Sequence, residues 1–155
     1  MGEELLLGVA AAIRTVYAAA DFGVYTELVP AAAKLPCFGI FLKEQRVRPG
    51  LKNRFWEDDR VEVVYTPAGS SLVQVECRTA AVALGTLLEF VSVDGLLVRG
   101  VEMESRIEGD RLFFGVTYRF WLEYTKEPDV LMQEARIYER EQEGEAVLEG
   151  AAAEE

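Results

Sequence analysis

The chain of 155 residues has no histidine and only two cysteines, Cys37 and Cys77. Histidine is the side chain that most often transfers protons near neutral pH, so its absence argues against catalysis. A zinc site would need two thiolates and carboxylates, which is an unusual set of ligands. Because no CxxC pair occurs and nothing in the sequence indicates secretion, we expect both cysteines to be reduced and buried.

Long apolar runs are also missing. No stretch reaches the roughly 18 apolar residues that a membrane-spanning helix needs. The first apolar stretch, residues 5–12, is interrupted by Gly8 and preceded by Glu3 and Glu4, whereas a signal peptide begins with a basic region. We therefore expect no membrane partner and a chain that stays in the cytosol where it is made.

Positive charge is scarce, with 16 Lys and Arg against 27 Asp and Glu and a net charge of −11. Binding to the nucleic-acid backbone depends on Lys and Arg that replace counterions, so we expect no specific nucleic-acid partner. Residues 139–155 contain seven Glu and one Arg, a net charge of −6, so about half of the excess lies in this last segment.

Two segments have the apolar periodicity of helices. Residues 3–20 predict a helix capped near Gly23, with a core stripe of Leu6, Val9, Ile13, Val16 and Ala20. A second helix is predicted from a capping box at Ser71 and Gln74 to about residue 90. Its predicted core face consists of Leu72, Val75, Thr79, Val82, Thr86 and Phe90.

Strands are predicted at residues 24–28, 37–42 and 54–65, with a short one at 91–93. The strongest signal is a hairpin of residues 96–108 and 111–124 around Gly109 and Asp110. Pairing Glu108 with Arg111 fixes the register and gives one apolar face, in which the predicted pairs are Ile107 with Leu112, Met103 with Val116 and Val101 with Tyr118. The other face is half polar but carries Phe113 and Trp121, which indicates a second packing layer or a subunit contact.

These elements do not alternate as strand and helix, which favours the α+β class. We expect a single mixed or antiparallel β-sheet packed with two main helices, a C-terminal β-hairpin and an acidic tail. The predicted domain is residues 1–126, and residues 127–155 form an acidic extension that is helical over 129–143 or disordered.

The acidic residues offer the remaining route to chemistry. Glu57, Asp58 and Asp59 form the densest cluster, and Glu102 and Glu104 share a strand face. Such groups are usually solvated, so we expect them to be so here rather than to form a carboxylate pair or hold a metal ion. No glycine-rich phosphate loop occurs, and a cysteine nucleophile would lack a histidine partner. We expect no catalytic residue, no metal site and no cofactor.

A basic run interleaved with aromatic residues is the best candidate for a binding surface. It consists of Arg46, Arg48, Lys52, Arg54 and Arg60, with Phe55 and Trp56 among them. One interpretation is a loop that binds an acidic partner, such as the acidic part of a neighbouring copy. The other is an exposed hairpin loop without a partner. The aromatic side chains favour the first, since they are poor solvent-facing residues, but both stay open.

Several short motifs occur in a recognisable order over about residues 5–125. They are Pro36-Cys37-Phe38, Asn53-Arg54-Phe55, Val64-Tyr65-Thr66-Pro67, Asp94-Gly95 followed by Val98-Arg99-Gly100, and Phe113-Phe114-Gly115-Val116-Thr117-Tyr118-Arg119-Phe120. In this order and spacing the chain resembles the tail terminator family of phages and prophages in Gram-positive bacteria, which is similar in role to the lambda tail terminator. The segment after Lys126 has no counterpart in the resemblance.

The resemblance implies a virion structural protein that assembles in the bacterial cytoplasm. Such proteins form a ring, commonly a hexamer, on the head-proximal end of the tail tube, and join it to neck or head-completion proteins and in some tails to a sheath. DNA passes through the ring, and an acidic inner wall would repel it. Candidate interface residues are Arg46, Arg48, Asn53, Arg54, Phe55, Trp56, Phe113 and Trp121. The alternatives are another head–tail joining or tail-completion protein, a small non-enzymatic adaptor domain, and an enzyme that uses carboxylates only.

Overall fold

The computed structural model describes residues 2–69 and 72–123, which contain two helices and six strands. The fold is a mixed α+β fold, as predicted. The elements in chain order are α1 (Gly2–Arg14), β1 (Gly23–Thr26), β2 (Cys37–Pro49), β3 (Arg54–Thr66), α2 (Val73–Leu87), β4 (Phe90–Val93), β5 (Leu96–Glu108) and β6 (Arg111–Glu123). The strand order is β1-β2-β3-β6-β5-β4, with β1 parallel to β2. The predicted 129–143 helix, the acidic tail and the 126/127 boundary lie outside the described residues.

The chain divides into two units. The larger unit comprises Met1–Gln45 and Asp58–Arg119, and the smaller comprises Arg46–Glu57 and Phe120–Glu155. Both helices, β1, β4 and β5 belong to the larger unit, which also contains most of the buried apolar side chains. The two units are described separately below.

Helix α1 is shorter than its periodicity predicts. Its buried stripe is Leu5, Leu6, Val9 and Ile13, whereas Val16 and Ala20, predicted to be buried, are exposed. The guanidinium of Arg14 donates to the backbone oxygens of Tyr17 and Phe22, at 3.3 and 2.7 Å, so it binds the chain where the helix has ended. Gly23, predicted to be a helix cap, is the first residue of β1.

Close approach of α1 to β4 depends on a glycine. An added Cβ at Gly8 would overlap the backbone oxygen of Ser92 and would lie 3.6 Å from a methyl group of Val93. Because the nearest atom is backbone, it cannot move away as the end of a long side chain can. Gly8 therefore sets the distance between the helix and the edge of the sheet.

Helix α2 is buried through the face opposite to the predicted one. Its N-cap is Leu72, which makes no side-chain capping bond, and Ser71 of the predicted capping box lies outside the described residues. The buried residues on this side are Cys77, Ala80, Leu84 and Leu88. These residues also recur at spacings of three and four, so α2 has two apolar stripes, and the one without threonine packs in the core. The predicted core positions Leu72, Val75, Thr79, Val82, Thr86 and Phe90 are all exposed.

Aromatic rings and a buried hydroxyl connect α2 and the sheet in the larger unit. The Phe38 ring centroid lies 4.7 Å from that of Tyr17 and 4.8 Å from that of Tyr65, whose hydroxyl donates to a carboxylate oxygen of Glu76. The hydroxyl of Tyr118, which is fully buried, donates to the backbone oxygen of Leu88 at 2.6 Å. Both cysteines are buried and free, and burial raises the pKa of each thiol.

Strands β5 and β6 pair with most of the register that the sequence predicts. Glu108 faces Arg111, Ile107 faces Leu112, and Met103 faces Val116. A bulge between Gly100 and Glu102 shifts the register beyond this point, so Gly100 rather than Val101 faces Tyr118. A Cβ at Gly100 would lie only 2.7 Å from a methyl group of Val116, which leaves no room for a larger residue at this pair. The turn from β4 to β5 uses Asp94 and Gly95, both with positive φ.

Strand β2 is much longer than predicted. The prediction ended it at residue 42 because residues 43–48 are polar, but the strand continues to Pro49. Most of the added residues are exposed, so no buried face produces a hydrophobic alternation there. Strand β3 has the predicted start, and its last residue is Thr66.

We expect Gly8→Ala to lower the free energy of unfolding by about 1–3 kcal/mol, as overpacking of a close contact usually does. The matched control is Gly85→Ala within α2, where nothing lies within 4 Å of an added Cβ. That change should raise stability by about 1 kcal/mol, because alanine is the better helix former. Urea denaturation of both variants measures the difference, and equal effects at the two positions would contradict the close approach of α1 to β4.

We expect stability to fall as the pH rises above about 10, because burial raises the pKa of both Tyr65 and Tyr118 above the ordinary value of 10.0. Unfolded tyrosines ionise from that pH upward while the folded ones stay protonated, so folding then requires proton uptake. Each tyrosine contributes a slope of at most about 1.4 kcal/mol per pH unit. Tyr118→Phe should flatten this slope in urea denaturation series between pH 10 and 12, whereas an unchanged slope would show that Tyr118 ionises normally.

Candidate functional site

The smaller unit contains the tight turn that presents the predicted basic segment. The backbone N–H of Gly50 donates to the oxygen of Arg54 at 2.9 Å, and the N–H of Arg54 donates to the oxygen of Leu51 at 3.2 Å. Lys52 has a φ of 60°, in the left-handed region. These bonds close the loop between β2 and β3. Its exposed cationic residues are Arg46, Arg48, Lys52 and Arg54.

The two tryptophans of the chain lie against each other in this unit. The ring centroids of Trp56 and Trp121 are 4.0 Å apart, at an interplanar angle of 54°. The Arg54 guanidinium carbon lies 5.7 Å from the Trp121 centroid, and a Cβ at Gly50 would lie 2.9 Å from that ring. Trp121 nevertheless keeps 43% of its surface exposed. Three of the predicted interface residues, Arg54, Trp56 and Trp121, thus form a cluster of one cation and two partly exposed rings.

The other predicted residues of this segment are distributed along it. Arg46 and Arg48 lie near the end of β2 and are exposed, while Asn53 and Phe55 are half-buried. The most exposed apolar side chain of the loop is Leu51, at 82%, which the sequence analysis did not single out. Its position beside Gly50 in the turn could have predicted this exposure from the sequence, because a leucine at the tip of a polar loop has no core to pack into.

Phe113 belongs to the larger unit and lies in a different environment. The guanidinium carbon of Arg106 lies 4.6 Å from the centre of its ring. Both residues line an open pocket of about 280 Å³ together with Lys43, Arg60, Glu62, Glu104, Ser105 and Gly115. Phe113 is therefore part of a charged sheet face, covered by a cation, rather than an isolated exposed ring.

Arg60 was predicted to extend the basic run, but it is held in this charged network. Its guanidinium donates to the Thr117 hydroxyl at 2.9 Å and to a Glu104 carboxylate oxygen at 2.6 Å. The guanidinium lies across Gly115, where a Cβ would come within 2.5 Å of its Nη2 atom. The absence of a side chain at Gly115 makes this position of Arg60 possible. The basic surface is correspondingly limited to residues 46–54.

Further ion pairs continue the network within the larger unit. Arg119 donates to both carboxylate oxygens of Asp58, at 2.8 and 3.3 Å, and this hydrogen-bonded pair raises the pKa of Arg119. Arg106 contacts Glu108 at 2.7 Å and Glu62 at 3.6 Å, and the bond to Glu108 raises its pKa. Asp58 and Glu62 lie on β3, far along the chain from their arginines, so sequence spacing gave no signal for those two pairs, whereas Arg106 and Glu108 are neighbours on one side of β5.

The acidic cluster is not solvated as predicted. Glu57 is 8% exposed and Asp59 is fully buried, while Asp58 between them pairs with Arg119. The physical reason is the alternation of β3, which turns every second residue from Glu57 to Tyr65 inward. Glu102 and Glu104 are exposed as predicted.

Within residues 2–69 and 72–123, no three His, Cys, Asp or Glu side chains are grouped closely enough to hold a metal ion. The helices in the same ranges are also too short or too polar to cross a membrane. The two candidate surfaces described above are the charged sheet face of the larger unit and the basic, aromatic loop of the smaller unit.

Comparison with known families shows which family the chain belongs to. A model of the phage tail terminator protein family matches residues 4–130. The chain belongs to the phage tail terminator family. It is accordingly a structural protein of the phage tail, which functions with other tail proteins in the virion. The Gram-positive origin that the motifs suggested stays a prediction.

Other comparisons add less. No curated protein matches the chain. A chain from a structure described as the virion of a native gene transfer agent particle is 17% identical, with a TM-score of 0.48, and the match covers 79% of this chain and 97% of that one. A second solved structure is 12% identical, with a TM-score of 0.44, and the match covers 81% of this chain and 95% of that one.

We expect the Trp56–Trp121 contact to produce an exciton couplet in the far-ultraviolet circular dichroism spectrum, because the two rings are close and inclined to each other. Trp56→Phe and Trp121→Phe should each abolish the couplet while leaving the unfolding transition cooperative. Phe55→Leu, next to Trp56 but outside the pair, is the control and should keep it. A spectrum unchanged in all three variants would contradict the contact.

Proposed function

We propose that this protein is a tail terminator that forms a ring on the head-proximal end of the tail tube and joins the tube to the neck. The observation that carries the proposal is the family match, which includes all of the described elements from residue 4 onward. The match to a structural family favours this role over the adaptor and enzyme alternatives. The ring is proposed to be a homo-oligomer, commonly a hexamer in proteins of this kind.

The basic and aromatic loop supports a role in protein contacts. Arginine and tryptophan are the side chains most enriched among residues that dominate binding energy. In the smaller unit they lie side by side, with Arg54 over Trp121 and Trp121 against Trp56. We propose as interface residues, toward the tube or a neighbouring subunit, Arg46, Arg48, Asn53, Arg54, Phe55, Trp56, Phe113 and Trp121.

Charge is consistent with a ring around a DNA passage. The chain carries a net charge of −11, and an acidic inner wall would repel the phosphate backbone of DNA that passes through. For the proposed terminator role, the partners are other copies of the chain, the tail tube protein, a neck or head-completion protein and, in a contractile tail, the sheath. A ring with a basic inner wall would be incompatible with this part of the proposal.

Tail length in cells that lack the protein tests the proposed function. We expect abnormally long tails without heads, and tails of normal length when the wild-type chain is supplied in trans, measured by electron microscopy. When the double variant Arg54→Ala, Trp121→Ala is supplied instead of the wild-type chain, the fraction of tails with normal length should be at least tenfold lower. The reason is that this variant lacks the cation and one ring of the cluster.

The control is Arg99→Ala in the larger unit, which removes an exposed arginine whose partner, Glu89 of the same unit, lies 3.5 Å away. Exposed pairs of this type contribute at most about 1 kcal/mol, so this variant should behave as the wild type. Tails of normal length in the absence of the protein would refute the terminator function.

A further inference from the structure

Strand β5 has no neighbour along most of one side. It lies between β6 and β4 in the sheet. Strand β4 is short and pairs only with residues 96–99, after which the backbone N–H of Gly100 donates to the oxygen of Glu89 at 2.8 Å. Residues 102–108 continue to pair with β6, but no strand among the described residues pairs with their other side. We call residues 101–108 the open edge of β5.

The open edge is accessible from both faces of the sheet. Residues 101–106 are exposed without interruption, and Ile107 is half-buried. Glu104 lies across from Gly115 on the charged sheet face. Met103 points to the other face, on which the helices pack, and is still 36% exposed. Neither face is therefore closed to a segment that approaches this edge.

A strand with one free side offers a row of backbone hydrogen-bonding groups. In antiparallel pairing, the N–H and C=O groups of every second residue point away from the paired neighbour. Half of the residues in the open edge therefore direct both groups outward. An extended segment that lies alongside can bond these groups as a further strand of the sheet, which is a common way for one protein to bind another.

The charges along the open edge favour one kind of segment. Glu102, Glu104 and Glu108 stand against Arg106, which gives residues 102–108 a net charge of −2. Glu104 pairs with Arg60 and Glu108 with Arg106, but the two glutamate side chains remain 77% and 60% exposed. Because the carboxylates recur at every second residue, basic side chains at alternate positions of an added strand would lie across from them.

We propose that the open edge of β5 binds an extended segment of another tail protein, in which lysine or arginine alternates with apolar residues. The backbone of the segment pairs with residues 101–108. Its basic side chains lie on the charged sheet face beside Glu102 and Glu104, and its apolar side chains contact Met103 and Ile107 on the other face. The site is a property of the single chain and does not depend on the proposed ring.

A second copy is a poorer partner for the open edge. Two such edges would bring together segments that each carry a net charge of −2, and like charges directly across a strand pair are destabilising. Charged side chains on exposed edges protect many proteins against this kind of self-association. The carboxylates thus act against an identical edge and in favour of a basic one.

Peptide binding to the full chain tests the proposal. The probe is a labelled eight-residue peptide of alternating lysine and valine, and its binding is followed by fluorescence anisotropy at about 0.15 M salt. One control peptide has glutamate in place of lysine. The other has proline in place of valine, so it keeps the charge but cannot pair as a strand. Both controls should bind at least tenfold more weakly, and equal binding of the proline peptide would overturn the proposal.

Variants and hydrogen exchange locate the site. Glu102→Lys should weaken binding of the lysine peptide at least threefold and strengthen binding of the glutamate peptide, with an unchanged circular dichroism spectrum. The control is Asp21→Lys, which reverses an exposed carboxylate of the same unit outside β5 and should have no effect. Saturating lysine peptide should slow exchange of amides within residues 101–108 at least tenfold. Equal effects of the two variants, or protection only elsewhere, would contradict the site.

Photo-cross-linking in assembled tails identifies the natural partner. Ser105→Cys, at an exposed position of the open edge, carries a benzophenone maleimide, while the native cysteines are only 2% and 0% exposed and should not react. The expected product joins this chain to a basic, extended segment of another tail protein. A product of two copies only, or no product, would overturn the proposal.

These outcomes are distinct from a failure of the proposed function. The peptide, exchange and cross-linking results concern the edge of one strand, and none of them changes the expected effect of the protein on tail length. The proposed function fails if cells that lack the protein make tails of normal length, whatever binds to the open edge.

Discussion

The alternation of side chains along β3 is the constraint on which the larger unit depends. From Asp59 to Tyr65, every second residue points into the layer beneath the helices, and the residues between them point to the opposite side. That opposite side cannot be left to apolar residues because no helix covers it among the described elements. It is filled instead by Arg60, which bonds Glu104 and Thr117, and by the pair of Asp58 with Arg119. One face is thus held by packing and the other by charge.

The two faces contribute differently to stability. Burial of apolar side chains such as Phe38 and Tyr118 stabilises the fold by the area removed from water. Exposed ion pairs contribute little each, but a network with a bidentate arginine fixes which strands are neighbours and in what register. Gly115 shows how specific this is, since the Arg60 guanidinium occupies the space that any side chain there would need.

Local patterns predicted the elements that combine a turn signal with alternation. The register of β5 and β6 near Gly109, the start of β3 and the end of β4 could be predicted from the sequence for this reason. The register failed at Gly100, because a bulge depends on tertiary contacts. The buried face of α2 could not be chosen from periodicity, since both of its stripes recur at spacings of three and four. Strand β2 beyond residue 42 has no buried side to produce a pattern. The burial of Asp59 follows from the alternation of β3, which places it on the same side as Val61, Val63 and Tyr65.

The candidate site was predictable in composition but not in geometry. A basic run with two aromatic residues was visible in the sequence, and Trp121 was noted on the hairpin. That Trp121 lies 4.0 Å from Trp56 depends on bringing together segments about 65 residues apart, and so does the loss of Arg60 to the sheet face. Long-range pairing of this kind leaves no trace in spacing along one segment.

The position of β6 next to β3 has a consequence for how the chain acquires its structure. The hydrogen bond between Arg60 and Thr117 joins residues 57 positions apart, and that between Arg119 and Asp58 joins residues 61 apart. During synthesis β3 leaves the ribosome well before β6. The inward-facing apolar residues of β3 therefore lack the neighbouring strand β6 until the hairpin of β5 and β6 has emerged. A hairpin closes in microseconds, whereas contacts of large sequence separation form slowly. We therefore expect the docking of the finished hairpin beside β3 to set the folding rate, and the chain to be most exposed to aggregation in the interval before it.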